Sequence, residues 1–115
     1  MGLLVQRIEV LNCRTPGFIF DEKTMVMIDR RTPWGNPYIV GVHGSTREDV
    51  VMLHINWLRR WSVDKKEEIH KIGIREYSNK WVMENIGSIR GKHPVCWCAP
   101  DSCHGGILLM LANVS

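Results

Sequence analysis

The segment running from His93 through Cys96, Trp97 and Cys98 to Cys103, His104 and Gly105 constrains the fold more than any other. Residues 93–98 read as a short buried strand, residues 99–102 as a turn, and Cys103 onward as a helix with residues 107–111 completing its apolar side. A strand that ends in a turn and opens a helix aims free backbone N–H groups and the positive helix end at whatever lies in front of the turn. Anions and thiolates are favoured there. Three of the four cysteines and His104 fall within residues 96–105.

The rest of the chain supplies partners for that unit. Residues 5–11 read as a strand, followed by turn chemistry at Asn12, Cys13, Arg14, Thr15, Pro16 and Gly17. Residues 25–28 form a second short apolar strand, which runs into a loop over residues 29–38. Pro33, Gly35 and Pro37 bar regular structure in that loop and stiffen it. Ser45 and Glu48 have the spacing of a capping box, so a helix is predicted to begin there and run to about Trp61, burying Val51, Ile55 and Leu58. Residues 75–89 are predicted as a second helical stretch with Trp81, Ile86 and Ile89 in the core. The order β-β-loop-α-α-β-α predicts an α/β fold. We expect one domain over residues 1–115, a small sandwich with a short, partly parallel sheet, about three helices, and a site at the carboxyl ends of the strands.

Composition excludes some classes. A chain of 115 residues with 44% hydrophobic and 23% charged residues belongs with folded globular domains rather than disordered ones. No apolar run approaches the ~20 residues needed to span a bilayer, and no basic region with a cleavage site opens the chain. Cytoplasmic residence with reduced thiols and no membrane partner is the expectation. The net charge of +3 suits a small anionic ligand. It lacks the dense basic stripe of a dedicated nucleic-acid binder, which leaves nucleic acid a weaker candidate partner. The five tryptophans could furnish a homodimer surface as readily as a core.

Three segments are candidates for function. In the first turn, Asn12 and Arg14 either cap a surface or hold a phosphate or carboxylate, and Cys13 beside them reads as a small buried hydrophobe. In the stiff loop, Arg30 and Arg31 offer cationic forks, Trp34 an aromatic plane for a base, Gly35 close approach, and Asn36 an amide for the base edge. In the cysteine segment three readings stand. Cys96, Cys98, Cys103 and His104 could ligate zinc, although adjacent residues 103 and 104 diverge by about 100° on a helix. Cys103 could be an activated thiolate with His104 as proton carrier and Gly105 in the ligand-binding turn. Or the cysteines pack and the turn is structural.

These residues carry a resemblance. The chain resembles a family of small phage and bacterial proteins known as a domain of unknown function. The matching motifs are Asn12 and Arg14; Ile28, Arg30, Trp34, Gly35, Asn36, Pro37 and Tyr38; and Cys96, Trp97, Cys98, Pro100, Cys103, His104 and Gly105. Arg47, Gly91 and Lys92 also match the layout. Gly106 stands where many members have an acidic residue, so no carboxylate role carries over there. The resemblance implies a phage or prokaryotic origin and no particular substrate. Taken together, we expect the arginine loop and the Cys-His turn to face each other and bind, and in one reading act on, a nucleotide or other small phosphorylated ligand. The alternative is a non-catalytic phage protein that sequesters a nucleotide or inhibits a host protein.

Overall fold

A computed structural model describes residues 8–97 and 103–113. Strands β1 (Leu11–Asn12), β2 (Met25–Met27) and β5 (His93–Cys96) form a sheet of order β1-β5-β2, parallel throughout. Between β2 and β5 the chain makes helix α1 (Arg47–Ser62), the antiparallel hairpin β3 (Ile69–Ile72) and β4 (Arg75–Ser78), helix α2 (Asn79–Asn85) and a 3-10 turn (Ile86–Ile89). Helix α3 (Gly105–Asn113) closes the described chain. The α/β class, the parallel pairing and the three helices agree with the sequence pattern.

The sheet is short for a reason visible in β5. Residues in a parallel strand alternate between neighbours, and His93 and Val95 bond the β2 side, through His93 N to Thr24 O and Ile28 N to Val95 O. Pro94 therefore turns its missing donor toward β1, where the ladder is only Leu11–Asn12. Among the described residues the predicted first strand keeps only Leu11 and extends to Asn12, and its residues 5–7 lie outside the described part.

Two elements differ from the sequence prediction. The cap of α1 is Thr46 with Asp49, one residue beyond Ser45 and Glu48: Asp49 N donates to Thr46 Oγ1 at 3.1 Å, while Asp49 Oδ2 accepts from Ser45 N and Thr46 N. The buried face shifts accordingly to Val50, His54, Trp57 and Leu58, with Val51 and Ile55 on its flank. Residues 75–89 are not one helix. Arg75–Ser78 pairs with β3 across a turn in which Gly73 takes φ +61°, and α2 begins only where Ser78 Oγ caps Trp81 N at 3.2 Å. Ile89 is buried as expected, whereas Trp81 stays partly exposed with its ring edge-on to Trp34, centroids 4.8 Å apart.

The core joins Ile28, Trp34 and Tyr38 to Trp57 and Leu58 of α1, Tyr77, Val82, and Leu108 of α3. Arg60 and Glu68 pair at 2.7 Å and Trp57 Nε1 donates to Glu68 O, tying α1 to the start of the hairpin. Close approach is required at Gly105 and Gly35, and also at Gly44, where a Cβ would lie 2.7 Å from Asp49 Cβ. A Cβ at Gly105 would lie 2.8 Å from Ile28 Cδ1, and one at Gly35 would lie 2.6 Å from Arg30 Cα and 2.8 Å from Asp29 O. The Gly35 contacts are with backbone, so the loop itself must move to relieve them. Gly35→Ala is expected to cost at least about 2 kcal/mol in urea unfolding, whereas Gly87→Ala, whose methyl meets no atom within 4 Å, should change stability by less than about 1 kcal/mol. Equal effects would contradict the packing described.

Candidate functional site

The loop over residues 29–38 is held from both sides. Arg30 Nε donates to Asn36 O at 3.0 Å and its Nη2 to Tyr38 O at 3.1 Å, closing the loop on itself. The carbonyl of Arg30 accepts from Tyr77 OH and, at 3.1 Å, from Arg75 Nη1, fastening the loop to β4. Asn36 turns its amide inward: Nδ2 donates to Val50 O at 3.0 Å and Oδ1 accepts from Tyr38 N at 2.9 Å. Trp34 is buried against Trp81. Trp34, Gly35 and Asn36, read from sequence as base-binding groups, thus shape the loop from within, although Asn36 also borders the cavity described next.

A cavity of about 500 Å³ opens beside this loop. Its polar walls include Arg30 and Arg31 from the loop, Arg47 from the first residue of α1, and Cys103 and His104 from the start of α3. The expected juxtaposition of arginine loop and Cys-His turn is therefore present. Val40, Val50 and Val51 give it an apolar side. Asn12, Arg14, Trp34, Gly35 and Gly105 are not among its described walls. Asn12 instead ties the strand ends together, its Nδ2 donating to Trp97 O at 3.3 Å and its Oδ1 accepting from Arg14 N at 2.8 Å.

Sequence reasoning missed Arg47, Asp29 and Trp97 as walls. Arg47 was legible in principle, because a cation in the first turn of a helix opposes the macrodipole and calls for another purpose. Asp29 pairs with Arg31 at 2.6 Å and accepts from Trp97 Nε1 at 3.1 Å. Partial burial works against its charge, but the bonds from Arg31 and Trp97 prevail and hold the carboxyl below the ordinary range.

His104 is buried, and its Nε2 sits 2.6 Å from the carbonyl oxygen of Ile28, which can only accept. Nε2 therefore carries the proton, and Nδ1 faces Cys103 Sγ at 3.6 Å. Loss of water around the ring drives its pKa down to about 4, so at neutral pH the imidazole is uncharged. That state suits a positioning group better than the proton carrier expected from sequence. Cys103 Sγ also accepts the Gly105 N–H at 3.4 Å at the opening of α3. Behind His104 lies His54, fully buried, ring centroids 5.2 Å apart, with both nitrogens lacking hydrogen bonds among the described residues. Desolvation, then the neighbouring His104, push its pKa well down too. In the zinc alternative, Cys96, Cys103 and His104 share the cavity wall, Cys98 lies outside the described residues, and ligation through Nε2 would displace the Ile28 bond.

Residues 11–114 match the family model described as Domain of unknown function (DUF4326). No curated protein and no solved structure matches the chain. Among the described residues no helix is long and apolar enough to cross a membrane.

The two buried imidazoles set a pH dependence. A histidine whose folded pKa lies below its unfolded value near 6.5 binds fewer protons folded than unfolded between those limits, so stability is complete above about pH 6.5 and declines as pH falls toward about 4. Urea unfolding should show a loss of about 3 kcal/mol from His104 alone over that window, before Asp29 and Glu68, whose carboxyls are held low, begin to contribute. His54→Leu should reduce the total slope. A wild-type stability that is flat from pH 7 to 4.5 would contradict the burial of neutral imidazoles.

Proposed function

The chain belongs to the DUF4326 family, and we propose that its cavity binds a small phosphorylated ligand, with nucleotides and base derivatives as the class to test first. One observation carries the reading: three arginines, Arg30, Arg31 and Arg47, meet a single carboxylate, Asp29, in the described walls of one cavity that also receives the opening turn of α3. Arg30 is oriented by neutral carbonyls, which aim a guanidinium without cancelling its charge. Arg31 is largely balanced by Asp29. The cavity volume lies within the range typical of small-molecule sites. A phage or bacterial cytoplasm as the setting belongs to the same proposal and rests on the motif resemblance alone.

A second reading, chemistry on the ligand, is favoured by Cys103, which lines the cavity and whose sulfur accepts the Gly105 N–H. Donation from a helix opening favours negative charge on that sulfur and hence nucleophilic attack. Cys103→Ala separates the readings. An enzyme loses turnover and keeps ligand affinity, whereas a protein that sequesters its ligand or inhibits a host protein has no turnover to lose.

Calorimetric titration with inorganic phosphate and the nucleoside monophosphates at low salt should give a single site for at least one of them, weakening as salt rises. Arg47→Gln should lower that affinity about tenfold or more, the scale of one lost charge-assisted hydrogen bond, while leaving stability within about 1 kcal/mol. No binding across the whole panel, or binding untouched by Arg47→Gln, would overturn the proposal.

A further inference from the structure

Trp97 has no assigned role in the reading above, and its setting is unusual. It follows the last residue of β5, so the strand alternation that buries Cys96 to 2% exposure turns the indole outward, leaving Trp97 45% exposed while still lining the cavity. An exposed indole ordinarily keeps rotational freedom, but this one is held at several points. Its N–H donates to Asp29 Oδ2 at 3.1 Å, and the main-chain carbonyl of Trp97 accepts from Asn12 Nδ2 at 3.3 Å, which holds the backbone beneath the ring. Asp29 is itself fixed by Arg31, through Nε at 2.8 Å, Nη2 at 2.6 Å and the backbone N–H at 3.0 Å. The Arg14 guanidinium lies 4.6 Å from the ring centroid and that of Arg31 lies 5.7 Å away. Arg31 lines the cavity and Arg14 does not.

The plane of the ring is therefore set before any ligand arrives, and its cost of ordering falls on the folded protein rather than on binding. A phosphate alone gains nothing from an aromatic plate. A flat heteroaromatic ring joined to a phosphate gains from both, by stacking on the indole while the arginines take the anion. We propose that Trp97 is the base platform of this site and that the ligand is a nucleoside phosphate whose base stacks on it, with Asp29 and Arg14 acting as positioning residues for the indole. The inference rests on the phosphate reading of the cavity. It assigns to Trp97 the stacking role that the sequence suggested for Trp34, which is packed into the core instead.

The test compares the four ribonucleoside monophosphates with ribose 5-phosphate and inorganic phosphate, by calorimetry and by tryptophan emission. At least one nucleotide should bind about 5- to 100-fold more tightly than ribose 5-phosphate, the usual scale of one base-aromatic stack, and should quench emission that is missing in Trp97→Phe. Trp97→Leu should erase the advantage of nucleotides over ribose 5-phosphate, while Trp97→Phe, which keeps a ring and guards against a folding artefact, should retain part of that advantage. Equal binding of nucleotides and ribose 5-phosphate, or an equal loss of both in Trp97→Leu with Trp97→Phe no better, overturns the platform and leaves the phosphate site standing. Binding of none of the compounds overturns both.

Discussion

Arg30 is the joint on which the rest of the site depends. Its carbonyl accepts from Tyr77 and Arg75, so the β3–β4 hairpin grips the loop from outside. Its side chain donates to the carbonyls of Asn36 and Tyr38, so the loop closes from inside. Gly35 then presses so near Arg30 that there is no room for a β-carbon between them. Because the partners of this guanidinium are carbonyl oxygens, the bonds orient the charge without neutralising it. Scaffold and charge come from the same residue, and a cavity wall results.

The parallel sheet and its Pro94 decide where that wall faces. With a short ladder to β1 and the chain leaving β5 at Trp97, the carboxyl ends of the strands form the base from which the arginine loop and α3 project. Gly105 lets the start of α3 close on Ile28, and His104 locks it there through the Ile28 carbonyl. The histidine most suggestive of catalysis thus serves first as a buried bolt. Its neutral ring offers Nδ1 to Cys103 Sγ at 3.6 Å without supplying a charge.

Local pattern was enough to recognise some of this and not the rest. The last strand, the helix that follows Cys103 and the proline-stiffened loop were legible because glycine, proline and apolar runs act on the backbone locally, while the turn predicted over residues 99–102 lies outside the described residues. Trp34 misled because its direction depends on a partner far along the chain, Trp81, whereas Asn36 borders the cavity with its amide committed to Val50 and Tyr38. The hairpin was read as helix because Arg75, Glu76 and Tyr77 have no strong local preference, and what holds them extended is pairing with β3 and the tie to Arg30. Arg47 stands in the first turn of α1 under either capping register, and what the sequence does not show is that the loop over residues 29–38 packs beside it to make a cavity wall. Trp97 was legible as part of a motif, but only the bond from its indole N–H to Asp29 and the Arg14 guanidinium over its ring reveal that its plane is fixed.

The claim that unites these observations is that one cavity, walled by Arg30, Arg31, Arg47 and the opening of α3, is where this protein meets its ligand. Amide chemical shifts of the labelled protein, followed while a nucleoside monophosphate is added, test it most directly. The account predicts saturable shifts concentrated at residues 29–31, 47–51, 96–97 and 103–106, with Gly73 and α2 unmoved. Shifts centred on the β3–β4 hairpin or on α2 with the cavity amides unchanged would contradict it.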